Sequence, residues 1–184
     1  MKNVLVTGGA GFIGSHLTDA LVHDGYGVTV YDNLDPQVHS GGIPAYLNPE
    51  ATFIRGDVRD RSLLKEAVEK ADAVIHLAAA VGVGQSQYQI AHYVDVNTRG
   101  TAILLDILAN ERHAVQKLIV ASSMSIYGEG LYRCPSCGPV KPALRTFEGM
   151  APGGISSWDP SCPGCGAGLS PIPTPEETPL AANS

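Results

Sequence analysis

The sequence predicts an α/β fold, a doubly wound parallel sheet, from three observations. Short apolar runs alternate with helix-period segments through the first 130 or so residues, which calls for a parallel sheet covered on both faces. A glycine-rich turn joins the first apolar run to the first helix. After Gly128 the texture changes abruptly to Gly, Pro, Ser and Cys, and no apolar periodicity survives.

Taken in order, residues 2–7 are a short apolar run bounded by Gly8-Gly9 and read as a buried strand. Residues 12–23 then carry helical spacing at Ile13, Leu17, Ala20 and Leu21. Residues 27–31 and 52–54 give the second and third strands, and residues 62–70 a helix for which Asp60 is the N-cap. A fourth strand spans 73–77. A long helix follows over 88–110, with Val96, Leu104, Leu105 and Leu108 on its buried side, before a fifth strand at 118–122. The expected domains are thus a sheet domain at 1–130, a cysteine-bearing insertion at 131–169, and an extended, proline-rich tail at 170–184 that leads away. The insertion can hardly make a conventional core, so it needs a staple.

With 44% hydrophobic and 16% charged residues the chain has the composition of a globular protein with one core. A formal charge of −6 offers no field to attract a phosphate backbone, which argues against nucleic acid as a partner. Met1-Lys2-Asn3 runs directly into the first strand and no stretch approaches twenty apolar residues. Neither a leader nor membrane attachment is expected, and the cytoplasm is the expected location.

Gly8, Gly11 and Gly14 stand at Gly-x-x-Gly-x-x-Gly spacing between a strand and a helix, the Rossmann-type arrangement for a dinucleotide. Gly8 permits the tight turn, Gly11 lets backbone N–H groups approach a pyrophosphate, and Gly14 lets the helix pack closely on the strand. The phosphates then sit at the positive end of the helix. Asp32 ends the second strand, 18 residues after Gly14, where a carboxylate can accept hydrogen bonds from both ribose hydroxyls. It would repel a 2′-phosphate, and no arginine adjoins it in the sequence, so NAD is preferred over NADP. The bland alternative for Asp32 is a solvated turn residue.

Six segments, TGGAGFIGSHL (7 to 17), YDNL (31 to 34), RGDVRD (55 to 60), HLAA (76 to 79), DVNTRGT (95 to 101) and ASSMSIYG (121 to 128), occur in an order that resembles the extended short-chain dehydrogenase/reductases. That family includes nucleotide-sugar epimerases and dehydratases. The resemblance implies that Asp57 and Val58 border the adenine, that Leu77, Ala78 and Ala79 line the cofactor path, and that Asn97 lies under the fourth and fifth strands. Phe12, Ile13, Asn33 and Ser122 fall in the same segments and join the cofactor-binding set. Physical alternatives stand beside these roles: Asp57 as a turn residue, Asn97 as a structural hydrogen bonder, and a Ser-Ser pair as a turn after a strand. His76, at a strand end, reads as a packed or capping histidine without chemistry.

Ser123, four residues before Tyr127-Gly128, matches the family's catalytic serine, which hydrogen-bonds the sugar hydroxyl or ketone. The family's base is the tyrosine of Tyr-x-x-x-Lys. No such motif follows Ser123: the residues four after Tyr127 and Tyr132 are Leu131 and Ser136. The chain is therefore expected to be an N-terminal fragment that holds NAD without turning over.

Cys134-Pro-Ser-Cys137-Gly and Cys162-Pro-Gly-Cys165-Gly are near-identical turns, each able to aim two thiolates at one point. Four thiolates suit a tetrahedral, structural zinc with no position open for water. Disulfides fit a reducing compartment less well, and neither pair opens a helix as a redox pair does. The insertion resembles that of a subgroup of nucleotide-sugar epimerases acting on dTDP-sugars. The leading expectation is the NAD-binding part of a 4-epimerase of a dTDP- or UDP-hexose, a homodimer when full length, with the helix at 88–110 a candidate dimer surface. A dehydratase of the same family expects an acidic pair beside the serine, where Met124 and Ser125 stand. A non-catalytic NAD-binding scaffold is the reading from another class.

Overall fold

The computed structural model describes residues 2–40, 42–143 and 159–181. The chain divides into two compact units, with the boundary between Ser122 and Ser123.

The first unit is the expected parallel sheet. Its strands β1 (Asn3–Thr7), β2 (Gly27–Asp32), β3 (Thr52–Arg55), β4 (Ala73–His76) and β5 (Lys117–Val120) lie in the order β3-β2-β1-β4-β5. All the neighbouring pairs are parallel. The chain builds outward from β1 to β3, then crosses back to β4, so the topological switch falls between β1 and β4. At such a switch the connections leave to opposite sides and open a crevice at the carboxyl ends of the strands.

Successive strand side chains point to opposite faces, and the sequence uses both. Val4, Val6, Val28 and Val30 join one apolar cluster, to which Leu17, Leu21 and Val22 of α1 (Phe12–His23) add. Leu5, Tyr31 and Val74 join the other, with Leu64, Ala67 and Val68 of α2 (Arg61–Glu69) and with Leu104 and Ile107. Ile13 and Ala20, counted in the helical pattern of α1, are exposed. Asp60 caps α2 as expected, its side chain accepting from Ser62 N and Leu63 N. Such a cap contributes about 1 kcal/mol.

The helix expected at 88–110 runs without a gap over 90–110, but not at one period: α4 (Ile90–Tyr93) passes through a π-helical turn over Val94–Arg99 into α5 (Gly100–Asn110), and a short α3 (Val83–Ser86) precedes it. A π turn holds an extra residue, so it rotates everything after it about the helix axis. The buried face of α5 is therefore Gly100, Leu104 and Ile107, while Leu105, expected inside, is 48% exposed. Val96 and Leu108 are half-buried. The fourth and fifth strands are also shorter than expected, ending at His76 and Val120, so Ser122 lies two residues beyond its strand.

In the second unit, a 3₁₀ turn at Met124–Tyr127 precedes β6 (Leu131–Cys134) and β7 (Gly138–Val140), which pair as an antiparallel hairpin. The tail expected to lead away from residue 170 instead begins as β8 (Ser170–Ile172), antiparallel to β6 on its other side. Backbone groups at its edge explain this return: Leu131 N donates to Thr174 Oγ1, and Ala181 N donates to Ile126 O. Residues 144–158 of the expected insertion and 182–184 of the tail lie outside the described residues.

Candidate functional site

The glycine loop occupies the carboxyl end of β1, at the topological switch. Gly8 has φ +70°, and its N–H donates to Tyr31 O at 2.8 Å. A Cβ there would stand 2.7 Å from Ala78 N, so β1 and the chain leaving β4 meet backbone to backbone. A Cβ on Gly14 would collide with Gly8 O and stand 2.6 Å from Gly9 Cα. Gly11 differs, because its Cβ would meet only Gly8 O at 3.4 Å, leaving open space on its outer side. Gly11 is also the N-cap of α1 and supplies no side-chain cap. The first-turn N–H groups of a helix have no intrahelical partners, and here they lie in the run Phe12-Ile13-Gly14. The Phe12 and Ile13 side chains are 80% and 68% exposed, so what these residues offer a phosphate is backbone. The residues present thus fit a pyrophosphate: a glycine cradle, an uncapped helix start, and the positive end of a helix dipole.

Asp32 ends β2 next to that loop and is 8% exposed. Its Oδ2 accepts from Ala10 N at 3.1 Å and its Oδ1 from Leu34 N at 2.9 Å. Each oxygen keeps a lone pair for a further donor. His39 Nε2 lies 4.0 Å from Oδ1. Although no arginine adjoins Asp32 in sequence, the sheet brings Arg55 of β3 into register with it.

Asn33 and Asp57 meet on the same side, Asn33 Nδ2 donating to Asp57 Oδ2 at 3.3 Å. The Asp57 carboxylate also takes Arg59 Nε at 2.8 Å and Nη2 at 2.6 Å, and these bonds hold its pKa down to about 2. Arg59 N also donates to Asp57 Oδ1 at 2.9 Å, so the Asp57 side chain is engaged in its own turn. Val58 is buried beneath Gly100, where a Cβ would stand 2.6 Å from Val58 Cγ2, so Val58 too can present only backbone outward.

Beyond β4, Leu77 and Ala78 pack against the two apolar clusters and Ala79 is exposed. Asn97 sits in the π turn with its amide paired to one residue, Oδ1 accepting from Ala80 N at 2.7 Å and Nδ2 donating to Ala80 O at 3.1 Å. This is the structural hydrogen bonding weighed for it above. His76 is buried at 4% exposure with both ring nitrogens bonded. Ser122 is exposed at the end of the first unit. Ser123 opens the second, where its Oγ accepts from Ser125 N at 3.1 Å and caps the 3₁₀ turn.

The two cysteine turns come together. The thiols of Cys134, Cys137, Cys162 and Cys165 all lie within 4.8 Å of one another. Zinc–sulfur bonds of about 2.3 Å in a tetrahedron require sulfurs about 3.8 Å apart, so the donor set and its spacing fit. Gly138 and Gly166, each following a second cysteine, have φ +78° and +74° and so close both knuckles in the left-handed region. N–H groups of Cys137 and Ser136 lower the Cys134 thiol to about 7, whereas the neighbouring thiols push Cys137 up to about 12.

Several contacts around the glycine loop carried no sequence signal. Tyr46 Oη donates to Ala10 O at 2.9 Å, tying the segment after β2 onto the loop. Gln37 and Gln85 exchange amide hydrogen bonds of 2.9 and 3.3 Å. Since Gln37 follows β2 and Gln85 follows β4, this pair spans the end of β1 that lies between them.

A parallel sheet whose switch point carries a glycine cradle, an uncapped helix start and a buried strand-end carboxylate defines a dinucleotide-cofactor protein of the doubly wound α/β class. Residues 4–143 match the NAD dependent epimerase/dehydratase family, and the chain belongs to it. A dTDP-L-rhamnose 4-epimerase of Burkholderia thailandensis is 34% identical over 161 residues, covering 86% of this chain and 44% of that protein. A UDP-glucose 4-epimerase of Neisseria meningitidis serogroup A is 37% identical over 133 residues, 70% of this chain and 39% of its own. Among solved structures, UDP-glucose 4-epimerase from Brucella ovis in complex with NAD aligns with a TM-score of 0.62 at 38% identity, over 78% of this chain and 39% of that one. The chain thus spans less than half the length of these relatives. Among the described residues no helix is long and apolar enough to cross a membrane.

Proposed function

We propose that this chain is the NAD-holding part of a nucleotide-sugar 4-epimerase, which inverts the hydroxyl at C4 of a hexose joined to a nucleoside diphosphate. The observation that carries the reading is the pairing of the Gly8–Gly11–Gly14 cradle with Asp32, whose two oxygens are each fixed by one backbone N–H. In this reading the N–H groups at the start of α1 hold the pyrophosphate, Asp32 takes the adenosine ribose, and the backbone of Asp57 and Val58 borders the adenine. The segment Leu77-Ala78-Ala79 lines the path toward the nicotinamide, with Asn97 bracing it through Ala80. NAD, when bound, supplies a reversible hydride acceptor for the sugar carbon. Ser123 is the residue assigned to the sugar hydroxyl by its place before Tyr127-Gly128. The whole enzyme acts as a homodimer.

The cysteine unit holds a structural zinc, and it favours a dTDP-sugar as the substrate. Support for the metal comes from the convergence of the four thiols, and support for the dTDP-sugar from the resemblance of the CPxCG turns to the insertion of epimerases acting on such sugars.

Calorimetric titration of the purified chain with NAD and with NADP tests the proposal. Saturable NAD binding that is lost in Asp32→Ala, with weaker binding of NADP, is the expected result; failure of the folded chain to bind NAD overturns it. Tight NADP binding would instead identify Arg55, the register partner of Asp32, as a receiver of the 2′-phosphate.

A further inference from the structure

Five polar groups around His76 form an ordered chain in which the direction of every hydrogen bond is fixed. Thr101 Oγ1 lies 2.6 Å from Asn97 O, and a carbonyl can only accept, so the Thr101 hydroxyl proton is spent there. His76 Nε2 lies 3.1 Å from the same Thr101 oxygen, which must then accept from it. The ring therefore carries its proton on Nε2, and a neutral imidazole leaves Nδ1 as an acceptor. Thr7 Oγ1, 2.7 Å from Nδ1, donates to it and uses a lone pair to accept from Ala78 N at 3.3 Å. The order is Ala78 N–H to Thr7 to His76 to Thr101 to Asn97 O. The Asn97 side chain closes the circuit by binding both N and O of Ala80.

The circuit begins and ends on the same three residues, Ala78 to Ala80, just where Ala78 N approaches Gly8. Thr7 is fully buried and His76 nearly so, which makes each bond worth more, and each loss dearer, than at the surface. Burial also lowers the pKa of His76 and keeps the ring neutral.

We propose that His76, as the neutral Nε2–H tautomer, is a positioning residue that sets the backbone of Ala78–Ala80 as one wall of the dinucleotide site. The proposal rests on the reading of that site as NAD-binding. Protonation or the other tautomer places an N–H against Thr7 Oγ1 or a bare nitrogen against Thr101 Oγ1, and the circuit cannot then close with one donor for each acceptor.

Two measurements on the full chain test this. Long-range ¹H–¹⁵N NMR at about pH 7.5 is expected to show the Nε2–H pattern for His76; the Nδ1–H pattern overturns the proposal. NAD titration of Thr7→Val, which keeps the volume and removes the relay hydroxyl, is expected to raise the Kd about tenfold, with Thr7→Ser close to the parent. Thr101→Val, which breaks the other end, is expected to act in the same direction and serves if Thr7→Val does not fold. All are compared well below their unfolding temperatures, so loss of stability alone leaves the Kd unchanged. A parent-like Kd in the folded valine variants overturns the positioning role and leaves the NAD site standing. Absence of NAD binding in the parent overturns both.

Discussion

The sheet unit buries Leu5, Val6, Tyr31, Val30, Leu64, Val68, Val74 and Leu104 completely, whereas the only buried side chains among the described residues beyond Ser122 are Cys134, Pro142 and Cys162. At about 1.5–3 kcal/mol for each large apolar side chain, the first set can form the centre of a conventional apolar core. The second cannot, and its two buried thiols belong to the four-cysteine cluster. One stretch of chain is held by area removed from water and the other by a point to which four sulfurs converge. The difference separates their failure modes: the sheet should lose stability by degrees as its core is pared, and the cysteine unit should lose its fold at one step.

Metal removal has the largest expected effect, because structural zinc contributes on the order of 10 kcal/mol of folding free energy in small cysteine sites. A strong chelator is expected to abolish the antiparallel pairing of β6, β7 and β8, read by backbone NMR, with NAD affinity unchanged. Pruning the other region gives the next effect: Leu104→Ala is expected to lower the stability of the sheet unit by about 2–5 kcal/mol in urea denaturation, with the zinc content intact. Gly8→Ala strikes the point where cofactor site and sheet coincide. Its φ of +70° costs a non-glycine residue about 1–2 kcal/mol, and its Cβ presses on Ala78 N, so both urea stability and NAD affinity should fall.

The smallest effects are those of pH, and they also belong to the sheet unit. Burial lowers the pKa of His76, so the unfolded chain binds its proton more readily than the folded one. Stability is therefore full above the unfolded value of about 6.5 and declines as the pH falls through it toward the lower folded value. Asp57, held at about 2 by Arg59, contributes stability that persists to lower pH and is lost between the ordinary carboxylate value and its own. Urea denaturation at stepped pH should resolve a first decline that disappears in His76→Asn and a second that disappears in Asp57→Asn.

The sheet was legible in the sequence because its signals are local. Alternating apolar runs mark the strands, Gly8-x-x-Gly11-x-x-Gly14 marks the turn, and a single carboxylate at Asp32 closes the motif within one βαβ unit. The cysteine turns were legible for the same reason, each pair being four residues long. What escaped depends on partners far apart in the chain. Thr7 and His76 are separated by 69 residues, Gln37 and Gln85 by 48, and Tyr46 and Ala10 by 36, and no periodicity announces such contacts. The π turn at Val94–Arg99 escaped because counting at a constant helical period assumes no extra residue, and Leu105 was placed inside on that assumption. Strand β8 escaped because Ser170-Pro171-Ile172 has too few residues to show alternation, and only its pairing with β6 defines it.

Hydrogen exchange along the whole chain, with and without chelator and with and without NAD, tests the account most directly. The prediction is two separate footprints: chelator strips protection from the pairing at β6 and β8 and leaves β1 and β4 untouched, while NAD raises protection at Gly11–Ser15 and Leu34 and leaves the cysteine turns unchanged. Loss of protection in β1 and β4 on metal removal, or an NAD footprint that avoids the glycine loop, would contradict it.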